Sequence, residues 1–218
     1  MNKKMNPPVY VYALKNSLYI NLCNRCTAHC VFCPIRTHPV VAGYDLALSQ
    51  SQEPSSSDVI HLLGAPAAHE EIVFCGFGEP TLRLDAVKEI ATWVKQRGGN
   101  TRLNTNGHGN LIHSRDVTPE LRGLIDVVSV SINAADPESY VKIMRPDQGI
   151  AAFHAALDFI RRARQHIPSV LVSAVALSNS DWKACERMAA SMRVGFRLRP
   201  YADLSLSTTG ECHSNDLG

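Results

Sequence analysis

Four cysteines stand close together in the run CNRCTAHCVFC, at Cys23, Cys26, Cys30 and Cys33. Soft thiolates of this kind bind iron–sulfur clusters and zinc. The last three are separated by three and then two residues, and the aromatic Phe32 precedes the final one. Three thiolates around a cubane leave one iron open to an outside ligand, as a catalytic zinc site keeps one open position. A closed structural site that uses all four thiols is the rival interpretation.

The run CTAHCVFC resembles the CxxxCxφC signature of the radical S-adenosylmethionine (SAM) superfamily, in which φ is aromatic. The resemblance implies that Cys26, Cys30 and Cys33 bind a 4Fe-4S cluster. It also implies that SAM chelates the fourth iron and is cleaved reductively to a 5'-deoxyadenosyl radical, with Phe32 near the adenine. Cys23 lies outside the signature and is predicted to be a small buried residue at the end of a strand.

A second motif, GFGEP, directly follows a predicted strand. Glycines in such a turn let the backbone approach a ligand closely. The motif resembles the GGEP motif of the superfamily, which implies contact with the methionine ammonium group of SAM. By this resemblance the contacts are Gly76, Gly78, Glu79 and Pro80. Phe77 stands where many members have glycine and is included with them, whereas Cys75 is predicted to lie in the core.

Polar residues end the next two predicted strands, in LNTNG and VVSVSIN. The resemblance favours Asn104 as a SAM contact, because activating enzymes of the superfamily carry a polar residue at the matching place in LDTNG. Asn106, before glycine, is predicted to be a turn residue. Ser131 and Asn133 are candidates for the ribose and the carboxylate of SAM, and Ser129, deeper in its strand, is expected to bond to the backbone.

Three arginines further along are candidates for binding an anion. The resemblance supports Arg145, in SYVKIMRP, as a partner of the SAM carboxylate, and a plain surface arginine is the alternative. Arg197 and Arg199 alternate along a predicted strand and therefore share one face. The sequence leaves open whether that face lines the interior of the protein or contacts the surrounding helices.

The elements that must position these residues alternate between strand and helix, which predicts a parallel sheet. The predicted strands are Leu18–Leu22, Ile72–Cys75, Thr101–Thr105, Val127–Ile132, Val170–Ala176 and Val194–Leu198, and the predicted helices are Leu84–Lys95, Pro137–Met144, Ala151–Gln165 and Asp181–Met192. A closed (β/α) barrel has eight strands in about 250 residues. We therefore expect an α/β fold in the form of a partial, open TIM-like (βα)6 barrel with its chemistry at the carboxyl ends of the strands.

Composition favours one globular domain over 1–218, with a short lead at 1–16 and a polar tail at 203–218. The chain has 218 residues, of which 45% are hydrophobic and 19% charged, and a net charge of +2. This charge gives no indication of nucleic-acid binding. We find no secretory signal or membrane span, and the crowded cysteines favour a reducing cytoplasm. The segment 37–58 is either a substrate lid or a solvated connection.

From about Ser17 to Tyr201 the chain resembles the small TatD-associated radical SAM family. The shared motifs, in order, are NRCTAHCVFC, the EP of SQSQEPSSSD, GFGEPT, LNTNG and the stretch from Ser131 through MRP. This resemblance implies an external electron donor of the flavodoxin or ferredoxin type and leaves the substrate open, a protein being one candidate. A glycyl-radical-enzyme activating enzyme and a non-catalytic four-cysteine zinc or iron–sulfur module are the alternatives.

Overall fold

The computed structural model describes residues 7–36, 39–178 and 180–201, so the predicted polar tail at 203–218 lies outside the described residues. Its strands are β1 (Val11–Leu14), β2 (Ser17–Asn21), β3 (Val40–Val41), β4 (Tyr44–Asp45), β5 (Ile72–Cys75), β6 (Thr101–Thr105), β7 (Val127–Ser131), β8 (Ser169–Val175) and β9 (Gly195–Arg199). Its helices are α1 (Ser56–Leu63), α2 (Leu84–Gln96), α3 (Gly109–Ile112), α4 (Pro137–Met144), α5 (Ile150–Ala163) and α6 (Trp182–Ser191). In this part of the chain no helix has the length and apolar character needed to cross a bilayer.

The main sheet has seven strands in the order β1-β2-β5-β6-β7-β8-β9. Every neighbouring pair from β2 to β9 is parallel, and β1 pairs antiparallel with β2. The expected open barrel of six parallel strands is therefore confirmed, and the predicted boundaries agree within two residues. The predicted lead at 1–16 differs, because Val11–Leu14 forms a seventh strand on the sheet edge.

Alternation along the strands separates the apolar core from the cavity-lining face. On β5, Ile72 and Phe74 are fully buried in the hydrophobic core that α2 and α5 cover. On β7, Ser129 and Ser131 point the other way and line the cavity inside the barrel. Successive side chains of a strand face opposite sides of the sheet, so each strand contributes to the core and to the cavity at once.

The segment 39–58 is anchored to the barrel and is not a solvated connection. It forms the β3–β4 hairpin, buries Leu46 and Leu48, and ends in α1, where Ser55 caps the first turn. Val41 and Ala42, at the tip of the hairpin, line the cavity. Of the two alternatives left open by the sequence, the structure therefore supports a segment that covers part of the cavity.

Candidate active site

One cavity of about 950 Å³ opens at the carboxyl ends of the parallel strands. This volume is at the upper end of the range of about 300–1,000 Å³ typical of cofactor and ligand sites. Most of the residues that the motifs predict for the site reach it. Those on its lining are Cys26, Cys30, Phe32, Cys33, Gly76, Phe77, Gly78, Glu79, Asn104 and Ser131. The structure thus brings together the cysteine loop, the GFGEP turn and the ends of β6 and β7.

Cys26, Cys30 and Cys33 are partly exposed on one wall of this cavity. Burial raises the pKa of Cys26 to about 12, and the nearby Glu79 carboxylate adds to the rise. A thiolate in such a place needs positive charge nearby, which a metal centre supplies. In residues 7–36, 39–178 and 180–201 no three Cys, His, Asp or Glu side chains are already gathered around a metal position. The chemistry of these donors fits an iron–sulfur cluster, and the thiols lie along a wall of the cavity without forming a closed cage.

Cys23 occupies a separate, buried position under the same loop. Only 2% of its surface is exposed, and its Sγ lies 3.5 Å from the Glu79 carbonyl oxygen. Burial raises the pKa of Cys23 to about 12. The prediction of a small buried residue is confirmed, and the thiol does not share the cavity wall with the other three.

The carboxylate of Glu79 joins the GFGEP turn to the LNTNG turn. It is 1% exposed and accepts four hydrogen bonds. The donors are Thr81 N (3.0 Å), Thr81 Oγ1 (2.7 Å), Thr105 Oγ1 (2.7 Å) and Asn106 N (2.7 Å). Burial raises the pKa of Glu79, and these hydrogen bonds oppose the rise. The Glu79 carboxylate is therefore fully used in hydrogen bonds within the protein, and the GFGEP turn is left to contact a ligand through its backbone.

The glycines of GFGEP are required by contact between the turn and the cysteine loop. A Cβ on Gly78 would lie 2.3 Å from the Cys23 carbonyl oxygen and 2.5 Å from that of Arg25. Gly76 has φ +134°, and a Cβ there would lie 2.5 Å from Asn21 Oδ1. Larger residues would push the turn away from the loop.

Asn106 does more than the predicted turn. Its Nδ2 lies 3.1 Å from Thr27 Oγ1 and 3.7 Å from Cys26 Sγ. Thr27 Oγ1 is also 2.8 Å from Nδ1 of the fully buried His108, whose Nε2 is 2.8 Å from the Tyr140 hydroxyl. Burial lowers the pKa of His108 to about 4. A neutral histidine thus joins the cysteine loop to α4, and no sequence motif predicted this connection.

Glu53, the glutamate of the EP motif in SQSQEPSSSD, forms a second connection to the cysteine loop. Its carboxylate binds Arg25 through two hydrogen bonds, of 2.7 and 2.9 Å, and Arg83 Nη1 at 3.0 Å. Arg83 also donates to the Pro54 carbonyl at 2.9 Å. The segment before α1 therefore ties the cysteine loop to the short 3-10 helix Pro80–Arg83.

Three predicted contacts lie away from the cavity lining. Pro80 is buried at the start of its 3-10 helix. Asn133 is fully buried with φ +62°. Its Nδ2 donates to Met144 Sδ at 3.1 Å, and its Oδ1 accepts from Val175 N at 2.8 Å. Arg145 caps α4 in the left-handed conformation, with its side chain exposed and its carbonyl accepting from His29 N at 3.1 Å. The side chains of Pro80 and Asn133 are buried and that of Arg145 is exposed, and the predicted contacts of these three residues with SAM stay predictions.

The strands also bring polar groups to the cavity that were expected elsewhere or left undecided. Cys75, predicted to lie in the core, is on the lining, and so is Ser129. Arg197 and Arg199 both reach the cavity, which answers the question that alternation left open. Asn104 Oδ1 is buried and has no hydrogen-bond partner in the described part of the chain.

Comparison with known sequences gives one family and one distant relative. The family model described as the radical SAM superfamily matches residues 20–191. A curated protein of Methanocaldococcus jannaschii, described as uncharacterized, is 23% identical over 155 residues. The match covers 71% of this chain and 46% of that protein, so the chain spans less than half of this relative's length.

Solved structures share the fold at low sequence identity. SuiB of Streptococcus suis bound to S-adenosylmethionine has a TM-score of 0.63 at 14% identity, over 88% of this chain and 42% of its own. The enzyme anSMEcpe with bound AdoMet has a TM-score of 0.62 at 17% identity, over 85% and 51%. TYW1 with a lysine-pyruvate adduct has a TM-score of 0.61 at 13% identity, over 88% and 66%. These likenesses show the partial-barrel fold, and the matched motifs lie within the family region.

Proposed function

Since the chain belongs to the radical SAM superfamily, we propose that it binds a 4Fe-4S cluster through Cys26, Cys30 and Cys33 and cleaves SAM reductively. The observation that carries this proposal is the placement of all three thiols on the cavity that the GFGEP turn also lines. When bound, the cluster supplies the electron that breaks a carbon–sulfur bond of SAM and gives the 5'-deoxyadenosyl radical. The substrate of that radical is not specified by these residues.

The protein's own residues hold the cofactor site in shape. Glu79 fixes the spacing between the GFGEP and LNTNG turns, and Gly76, Phe77 and Gly78 line the cavity, where their backbone groups would hold the methionine end of SAM. Asn104 Oδ1, buried without a partner among the described residues, accepts from a ribose hydroxyl in this proposal. Such preorganised groups position a cofactor without reorganising when it binds.

The finer assignment follows the resemblance to the TatD-associated family and comes with an external flavodoxin- or ferredoxin-type electron donor. A protein substrate has support from one structural neighbour, since SuiB of Streptococcus suis has been solved bound to the precursor peptide SuiA. The Glu53 connection also supports the family assignment, because the EP of SQSQEPSSSD is one of the shared motifs and its glutamate holds the cysteine loop.

Anaerobic reconstitution tests the proposal. The full chain is loaded with iron and sulfide, reduced with dithionite and incubated with SAM, and methionine and 5'-deoxyadenosine are measured. We expect both products from the wild type and neither from Cys26→Ala, Cys30→Ala or Cys33→Ala, since each variant lacks one ligand. Absence of both products from a wild type that carries its cluster would contradict the proposal.

Cys23→Ala is the matched control, because it removes a thiol from the same loop without touching the cavity wall. We expect this variant to keep the 4Fe-4S absorption and the SAM cleavage of the wild type. A four-cysteine zinc or iron–sulfur module makes the opposite prediction, namely loss of the metal from Cys23→Ala.

A further inference from the structure

The inner wall of the cavity carries more positive charge than its own carboxylates can balance. Arg102, Arg197 and Arg199 all line it, and Glu79 is the one carboxylate on the lining within the described residues. Arg102 is balanced by an ion pair with Glu71, whose Oε2 lies 2.9 Å from Arg102 Nε, although the angle between them does not make a hydrogen bond, and Glu79 is occupied by its four hydrogen bonds. The charge of the remaining two arginines therefore has no partner on this wall.

Arg199 is held so that its charge points into the cavity. Its Nη2 donates to Ser131 Oγ at 3.1 Å, and Ser131 Oγ lies 3.3 Å from Ser173 Oγ. The Nε of Arg199 is buried and has no hydrogen-bond partner among residues 7–36, 39–178 and 180–201. Arg197 lies two positions before Arg199 on β9 and faces the same side. Over the same described residues neither arginine forms an ion pair.

A guanidinium that keeps one buried N–H without an acceptor, as Arg199 does at Nε, is costly to the folded protein. An unsatisfied buried donor costs about 1–3 kcal/mol, and more when the group is charged. Burial lowers the pKa of Arg199, and the like charge of Arg197 contributes in the same direction. Groups that cost stability in this way are typical of binding sites, where a ligand supplies the missing partner.

We propose that Arg199, oriented by Ser131 and assisted by Arg197, binds an anionic group of the substrate, either a carboxylate or a phosphate. This inference rests on the proposed function, in which the single carboxylate of SAM is used at the open iron. Arg199 then pairs with a second anion. A planar guanidinium presents paired donors that match the oxygens of both groups. The substrate class is therefore a carboxylic acid or a phosphorylated molecule.

Malonate and inorganic phosphate are suitable probes because they carry these groups without the rest of a substrate. The thermal unfolding midpoint of the full chain is measured with each probe against chloride at equal ionic strength, without reductant. We expect a saturable rise in the midpoint for the wild type, since a ligand that binds the folded state stabilises it. We expect no such rise for Arg199→Gln and a smaller one for Arg197→Gln.

Arg187→Gln is the matched control, because it removes one positive charge from a side chain that is 70% exposed. We expect it to respond to malonate as the wild type does, which separates site binding from general salt effects. Without any probe, Arg199→Gln should unfold at the same temperature as the wild type or above it. If it unfolds much lower, Arg197→Gln decides the test, since Arg197 is exposed and its loss leaves the core intact.

Two outcomes would overturn the proposal. The first is an equal malonate effect in wild type and Arg199→Gln, or none in either. The second is loss of the malonate effect when saturating SAM is added to the reconstituted protein, which would assign Arg199 to the SAM carboxylate. These outcomes are read from the unfolding midpoint and not from SAM cleavage. Failure of the proposed function would therefore be detected separately, in the cleavage assay.

Discussion

The two walls of the cavity differ in whether their buried polar atoms have hydrogen-bond partners within the protein. The cysteine wall, made of residues 24–33, 76–79 and 105–106, satisfies its buried polar groups among its own residues and those packed behind it, as the four hydrogen bonds to Glu79 and the two to His108 show. The strand wall, formed by Asn104 and the inward residues of β7 to β9, leaves buried atoms of Asn104 and Arg199 without partners in the described structure.

This difference separates what is fixed from what is left for a ligand. A satisfied network holds its members in one geometry, and an unsatisfied polar atom gains a partner when a ligand binds. Substitutions on the cysteine wall should therefore lower the free energy of unfolding of the empty protein. Substitutions on the strand wall should change ligand binding and leave stability nearly constant.

Glu79→Gln should have the largest effect on stability. The amide replaces one acceptor oxygen by a donor, so at least one of the buried N–H or O–H groups now facing it loses its acceptor. We expect the free energy of unfolding to fall by about 3 kcal/mol, measured by urea denaturation of the apoprotein. The matched control is Glu89→Gln, on α2 outside the network. A loss below about 0.5 kcal/mol for Glu79→Gln would remove the main support for a fixed cysteine wall.

His108 makes the stability of the cysteine wall depend on pH. Its pKa is about 4 in the folded protein because of burial, and about 6.5 in the unfolded chain. The unfolded chain therefore binds more protons between these values, so stability is fully present above pH 6.5 and is lost as the pH falls towards 4. From pH 7.5 to pH 5 this group should contribute a loss of about 2 kcal/mol.

Carboxylates also titrate as the pH falls, so the measurement is a difference between two proteins. His108→Gln retains hydrogen-bonding groups and removes the titrating imidazole. Between pH 7.5 and pH 5 the unfolding free energy of this variant should fall by about 2 kcal/mol less than that of the wild type. His154→Gln, on α5 and exposed, is the control that should decline as the wild type does. Parallel curves for wild type and His108→Gln would show that the buried histidine is not held neutral.

Glu53→Gln should have a moderate effect, because its partners are less buried than those of Glu79. The side chain of Glu53 is 8% exposed, but those of Arg25 and Arg83 are 42% and 23% exposed. We expect a loss of about 1–2 kcal/mol, which a double-mutant cycle with Arg83→Gln would assign to the pair. Glu138→Gln, in the first turn of α4, provides an exposed comparison. Additive single and double variants would mean that Glu53 does not tie the segment before α1 to the 3-10 helix Pro80–Arg83.

The sequence predicts the parts of the molecule that depend on local pattern. The six parallel strands follow from short apolar runs, and the cysteine loop and GFGEP turn meet at the cavity because the carboxyl ends of neighbouring parallel strands meet at one edge. The four-residue strand β1 was missed, since it lies in a lead with two adjacent prolines and gives no helix–strand alternation.

The contacts that hold the site together could not be predicted in this way, because they join residues far apart in sequence. His108 meets Thr27 across 81 positions, and Glu53 meets Arg25 across 28. Asn133 and Arg145 show a second limit, since each has a positive φ that turns its side chain away from the cavity. A motif match gives the position of a residue in the chain and not the direction of its side chain.

Arg145→Gln should have the smallest effect and is the sharpest check on the division into two walls. The family resemblance assigned this cation to the SAM carboxylate, but its side chain is exposed, and its backbone carbonyl accepts a hydrogen bond from His29 N of the cysteine loop. Glutamine keeps that carbonyl, so unfolding free energy should change by less than about 0.5 kcal/mol, and the dissociation constant of SAM for the reconstituted protein should stay constant. Arg145→Pro, which distorts the backbone at φ +45°, should by contrast weaken the loop. Weaker SAM binding in Arg145→Gln would mean that a solvent-facing cation serves the cofactor, and the satisfied cysteine wall would then be incomplete without it.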